Sequence, residues 1–119
     1  MIRVLLAEDH HLVRKGIITL LAHADDINIV GEVETGLAAV EYVKNDSPDV
    51  VVMDVNMPGL NGIQAAEQIQ SAKFPTQIVM LSLHFDEAIL RQALRAGVKG
   101  FFTQEFIGWG IDLGDSGCF

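Results

Sequence analysis

Three acidic residues stand out because each closes an apolar run. Glu8 and Asp9 follow Ile2 to Ala7, and Asp54 follows Val50-Val51-Val52-Met53. If the two runs are strands of one sheet, three carboxylates converge on one edge. Like charges in so small a space repel and raise one another's pKa unless a cation joins them. All-oxygen donors of this kind suit Mg²⁺ or Mn²⁺. Mg²⁺ keeps waters and phosphate oxygens in its shell, so an incomplete carboxylate cage points to phosphoryl chemistry. A carboxylate can itself be the nucleophile and become an aspartyl phosphate. The metal would then neutralise charge on the transferring group. Ser82, near the end of another apolar run, offers a hydroxyl for a phosphate oxygen, and Gln104 follows a further one. Taken singly, Glu8 or Ser82 reads as an ordinary solvated strand-end residue. The surroundings of Asp54 favour a site: a buried run, then Asp, then a loop stiffened by Pro58-Gly59 and closing on Leu60-Asn61-Gly62.

The elements that must position these residues alternate. Ile2 to Ala7, Ile27 to Val33, Val50 to Met53, Gln77 to Leu83 and Gly100 to Thr103 read as strands. Val50 to Met53 looks the most buried of them. Between them lie helix stripes. The first uses Leu12, Val13, Gly16, Ile17, Leu20 and Leu21, and the second Leu37, Val40 and Val43 within Gly36 to Asn45. The third uses Ile63, Ala66 and Ile69, ending near Ser71, and the fourth Ile89, Leu90, Ala93 and Leu94, stopped by Gly97. Right-handed crossovers turn such a βαβαβαβαβ series into a parallel sheet with helices on both faces. Ligands of these sheets sit at the carboxyl ends of the strands, where strand order reverses.

Composition limits the alternatives. With 119 residues, half of them hydrophobic and 20% charged, the chain is expected to be one folded domain. Eight basic residues against sixteen acidic ones give −8, which argues against direct binding to nucleic acid or to an anionic membrane. The lone cysteine, Cys118, permits no internal disulfide. Acidic residues come too early for a signal peptide, and no apolar run nears the roughly 18 residues of a membrane helix. A soluble cytoplasmic domain is expected. Residues 106–119 break the pattern, because a fifth helix is due there. The run instead carries four glycines, each weakening a helix by about 1 kcal/mol.

These motifs resemble the receiver domain of two-component response regulators. The carrying residues are Leu5-Leu6-Ala7-Glu8-Asp9-His10, Val51-Val52-Met53-Asp54-Val55-Asn56-Met57-Pro58-Gly59, Ile78-Val79-Met80-Leu81-Ser82 and Ala96-Gly97-Val98-Lys99-Gly100-Phe101. They fall in the family's order over about residues 1–105. The segment His10-His11-Leu12-Val13-Arg14-Lys15-Gly16 is similar to the NarL/FixJ (LuxR-type) branch, whose receivers usually precede a helix-turn-helix DNA-binding domain. The resemblance implies a flavodoxin-like, CheY-like doubly wound α/β fold with five parallel strands, its fifth helix missing or altered. It implies a phosphoacceptor at Asp54, served by a sensor histidine kinase. It implies Mg²⁺ (or Mn²⁺) held by Glu8, Asp9, Asp54 and the backbone carbonyl of Asn56. Ser82 matches the switch hydroxyl and Phe101 the aromatic switch that turns inward with it. The expected chain is a signalling domain and not a turnover enzyme.

Two departures qualify the resemblance. Gln104 stands where the family has a lysine that pairs with the phosphoryl group. A neutral amide bonds more weakly than a charged donor, so weaker switching or slower phosphorylation is expected. Lys99 lies before the strand and is not a substitute. The second departure is the tail. A shifted reading frame near residue 104 would account for both, and a diverged natural tail is the other choice. The chain is read as a receiver over 1–105 with an atypical tail over 106–119 and no output domain. Apolar surface on the sheet and first helix then lacks its usual cover, and self-association or tail docking is expected. A pseudo-receiver acting only by interaction is the alternative function. An aspartyl phosphatase of the haloacid dehalogenase type fits less well, because Asn56 occupies the place of its acid/base aspartate. His10 and His11 read as exposed helix-start residues, and Met53, Met57 and Met80 as packing.

Overall fold

Apolar runs too short for helices become strands, and the stretches between them with threefold and fourfold spacing become helices. The computed structural model describes residues 1–82 and 87–103. In chain order its elements are β1 (Ile2–Ala7), α1 (His11–Leu21), β2 (Ile27–Val33), α2 (Gly36–Asp46) and β3 (Val50–Asp54), then α3 (Gly62–Ser71), β4 (Gln77–Ser82), α4 (Glu87–Arg95) and β5 (Gly100–Thr103). Gln104, the tail over 106–119 and the expectation of an altered fifth helix lie outside the described residues.

The strands form one sheet in the order β2-β1-β3-β4-β5, and every pair is parallel. From β1 the chain steps outward to β2, then returns past β1 to β3 and continues the other way. Strand order therefore reverses between β1 and β3. Their register sets Ala7 beside Met53, so the residues that follow, Glu8 and Asp54, leave the sheet as neighbours.

One face of the sheet carries the main core. Leu5, Ala7, Val51, Met53, Ile78, Met80 and Phe101 pack there with Ala39, Val40 and Val43 of α2, Ala65, Ala66 and Ile69 of α3, and Ala93 of α4. Helix α2 lies against α3, and α3 touches α4. The caps are side chains in the connecting loops. Thr35 accepts from Ala38 N–H at the start of α2, and Asn61 forms a reciprocal capping box with Gln64 at the start of α3. Helix α4 gives way to Gly97 at φ +89°.

Three sequence expectations need correction. Strand β1 is the most buried strand: Val4, Leu5, Leu6 and Ala7 are all fully enclosed, whereas Val50 and Val52 of β3 are only half-buried. Helix α1 has no buried residue. Its inner side is Val13, Arg14, Ile17, Ile18 and Leu21, all half-buried, while Leu12 and Leu20 are 82% and 64% exposed. The apolar residues of α1 thus straddle two sides of the helix. Leu12, Gly16 and Leu20, spaced by four, form the outer row. Leu37 is likewise exposed, because its place in the α2 stripe is taken by Ala39. No helix among the described residues is long and apolar enough to cross a membrane.

Candidate functional site

The site lies at the carboxyl edge of the sheet, across the reversal between β1 and β3. Glu8 is 2% exposed and Asp54 is 5% exposed, so the fold encloses two acids rather than displaying them. Ligand atoms of Glu8, Asp9, His10 and Asp54 all lie within 4.8 Å of one another. Burial first, and then the neighbouring Glu8 carboxylate, push the Asp54 carboxyl up to about 7, against a hydrogen bond from the Asn56 backbone N–H that favours the charged form. That N–H donates to Asp54 Oδ1 at 3.2 Å.

The acidic pair is held by its own backbone. Glu8 N–H donates to the Val33 carbonyl of β2 at 2.9 Å. The Glu8 carboxylate accepts the His10 N–H at 3.0 Å, just before α1 begins. Asp9 Oδ1 is buried and accepts no hydrogen bond among the described residues, although His10 Nδ1 lies 3.3 Å away. The same ring nitrogen stands 3.3 Å from Glu8 Oε2. An orphaned carboxylate oxygen beside two more carboxyls, one of them pushed toward neutrality, is a set of hard donors suited to a cation. The residues present therefore fit a divalent metal ion.

The β3–α3 loop is braced from behind. Gly62 N–H donates to the Val55 carbonyl at 2.9 Å, and a Cβ on Gly62 would collide with the Asp54 carbonyl oxygen. A Cβ on Gly36 would collide in the same way with the Leu60 carbonyl. Only glycine permits these backbones to approach so closely. Met57 tucks into the core, while Asn56 is exposed. On the other side of β3, Val55 N–H donates to the Leu81 carbonyl, and Ser82 follows, buried at 8% exposure. Phe101 pairs with Met80 in register and is 2% exposed, its ring inside the core.

The structure thus brings Glu8, Asp9 and Asp54 together and sets Ser82 at the end of the adjoining strand. Gln104 lies outside the described residues. Lys99 is exposed before β5, and its backbone N–H bonds the Ile78 carbonyl. His11 is exposed as expected. His10 is exposed too, but reading it as an ordinary helix-start residue misses its contact with both carboxylates. Its position directly after the acidic pair was the available signal.

An open α/β sheet with a buried carboxyl cluster at its switch point is the arrangement of a CheY-like receiver. A family model of the response regulator receiver domain matches residues 4–107. The chain belongs to that family. NarL of Mycobacterium tuberculosis (strain H37Rv) is 38% identical over 104 residues, which are 87% of this chain and 48% of that protein. The response regulator UvrY of Escherichia coli K12 is 36% identical over 104 residues, again 87% of this chain and 48% of the relative. The chain spans about half the length of the curated relatives it matches. The signal receiver domain of Mycobacterium tuberculosis NarL superposes with a TM-score of 0.82 at 35% identity, covering 96% of each chain. The response regulator domain of Thermotoga maritima CheB gives 0.84 at 34% identity, over 98% of this chain and 92% of that one. The chain is a receiver domain of the two-component kind found in NarL and UvrY.

Proposed function

We propose that residues 1–105 act as a phosphoacceptor in a two-component relay. Asp54 takes a phosphoryl group from the phosphohistidine of a sensor histidine kinase. An Asp54 carboxylate oxygen attacks phosphorus, the P–O bond forms as the P–N bond breaks, and the imidazole keeps the bonding pair and takes up a proton. The single observation that carries this reading is the enclosed Asp54 carboxyl pressed against Glu8, beside an Asp9 oxygen with no hydrogen-bond partner among the described residues. Glu8, Asp9 and Asp54, with the Asn56 backbone carbonyl, would hold Mg²⁺ or Mn²⁺. A cation bound there offsets charge gathering on the transferring phosphoryl oxygens. The braced β3–α3 loop holds the Asp54 backbone still while its side chain reacts.

Ser82 is positioned at the end of β4 to offer its hydroxyl to a phosphoryl oxygen, and Phe101 is the aromatic residue that responds when it does. The ring of Phe101 is enclosed in the core. The chain turns over at most slowly, by hydrolysis of its own aspartyl phosphate. It works in the cytoplasm, and DNA binding belongs to an output domain of a longer parent. The exposed row of Leu12 and Leu20 supports self-association, which sedimentation of the chain tests directly. A second reading rests on Gln104. Without a cation at that position the chain serves as a phosphorylation-independent interaction module, with residues 106–119 as its tail.

Intact mass after incubation with a small-molecule phosphodonor separates the two readings. One Mg²⁺-dependent phosphoryl adduct, absent in Asp54→Asn and in chelator, is the expected result. A folded chain that forms no adduct under any condition overturns the phosphoacceptor reading in favour of the interaction module.

A further inference from the structure

One half-buried cation stands next to the acidic cluster without joining it. Arg14, one turn into α1, has a side chain only 12% exposed. Its Nη1 donates to the backbone carbonyl of Glu8 at 3.0 Å. Its Nε lies 3.3 Å from Glu32 Oε1 at the end of β2, and its Nη1 lies 3.5 Å from Glu34 Oε2 just beyond. Its Nη2 stands 3.2 Å from His11 Nδ1. The guanidinium thus ties α1, the end of β1 and the end of β2 to one point.

The carbonyl it holds belongs to the peptide group that joins Glu8 to Asp9. The N–H of Glu8 is fixed separately on Val33. With both its backbone groups bound, Glu8 has little rotational freedom left, and the plane of the next peptide sets where Asp9 leaves the chain. We propose that Arg14 is a positioning residue of the cation site, fixing the Glu8–Asp9 peptide so that both carboxylates face Asp54. The proposal rests on the metal-binding reading given above. Partners that orient ligands without touching the metal are known to matter by roughly ten- to a hundredfold in affinity.

The sign of the effect separates positioning from charge. Arg14 is a positive group near a cation site, and its removal also frees Glu32 and Glu34. Electrostatics alone therefore predicts tighter cation binding in Arg14→Ala. Positioning predicts weaker binding. Arg14→Lys keeps the charge but loses the planar fork that spans a carbonyl and two carboxylates. Electrostatics predicts wild-type affinity for that variant, and positioning predicts an intermediate one.

The test is a Mn²⁺ titration of the full chain without phosphodonor, following free Mn²⁺ by electron paramagnetic resonance. Circular dichroism checks that each variant is folded. Arg14→Ala is expected to bind Mn²⁺ roughly tenfold more weakly than wild type, with Arg14→Lys between them. Should Arg14→Ala fail to fold, the Arg14→Lys titration carries the test. A folded Arg14→Ala that binds as well as wild type, or better, overturns the proposal and leaves the phosphoacceptor reading intact. Arg14→Lys equal to wild type also overturns it. A wild-type chain that binds no Mn²⁺ removes both together.

Discussion

The two ends of the sheet carry the same residue types and use them oppositely. At the amino end, the Arg3 guanidinium pairs with the Asp46 carboxylate and donates to the Asp46 and Ser47 carbonyls at 3.2 Å each. The Arg3 N–H donates to Asp49 Oδ2 at 2.8 Å, and the Asp49 N–H returns a bond to the Arg3 carbonyl at 2.9 Å. Every acid named there has a donor. At the carboxyl end, Glu8 and Asp54 are driven together under cover, and Asp9 keeps an oxygen with no hydrogen-bond partner among the described residues. Each end also has its arginine. Arg3 binds a carboxylate of its own cluster, whereas Arg14 binds the carbonyl behind Glu8 and spends its charge on Glu32 and Glu34. An aspartate with a cation and N–H donors fastens the fold. One enclosed among other carboxyls with a single N–H donor, as Asp54 is, is held ready for something that is not protein.

The sharpest way to break this contrast is at Asp54. Asp54→Asn should abolish the phosphoryl adduct in the mass spectrum, while substitution at Arg3 should leave it unchanged. Adduct surviving in Asp54→Asn would move the chemistry elsewhere. Next in size is the brace behind the site. Gly62→Ala forces a Cβ onto the Asp54 carbonyl and should cost about 3 kcal/mol in urea unfolding. A loss under about 1 kcal/mol would mean that the loop yields easily.

The pH dependence sharpens the contrast further. The Asp54 carboxyl titrates at about 7 in the folded chain, against an ordinary 3.8 when unfolded. Between those values the folded state keeps a proton that the unfolded state has lost. Stability conferred below about pH 4 is therefore lost progressively as pH rises to about 7, and the curve then levels. In chelator the loss should be about 3 kcal/mol, seen as wild type minus Asp54→Asn between about pH 4.5 and about pH 7.5. Parallel curves for the two proteins would place the cost elsewhere. The smallest effect belongs to the amino end. Arg3→Ala removes a half-exposed ion pair and should lower stability by about 1 kcal/mol without changing the Mg²⁺ dependence of phosphorylation.

Much of this was legible in the residues. Strands β1, β2 and β5 fall where the apolar runs put them, because a short run bounded by turn residues leaves few choices. Glu8, Asp9 and Asp54 follow from the rule that ligands gather at strand carboxyl ends. The inner side of α1 was not legible, because apolar residues lie on two of its sides and only packing chooses between them. The contacts of Arg14 with Glu32 and Glu34, and of Gly36 with Leu60, join elements distant in sequence and leave no spacing to detect. The proximity of His10 to both acids depends on the path of a single turn.

Strand order also has a meaning in time. β1 is synthesised before the other four strands of this sheet, yet it ends up inside the sheet, between β2 and β3. A nascent chain that has emerged only as far as β2 can pair β1 along one edge, and its other edge stays open until β3 arrives. The Glu8 N–H can then bond the Val33 carbonyl while Asp54 does not yet exist as its neighbour. A ribosome-bound chain in that state carries the acidic pair without the third carboxyl. Competence to capture a cation would appear late in synthesis, at the step when β3 slides in beside β1.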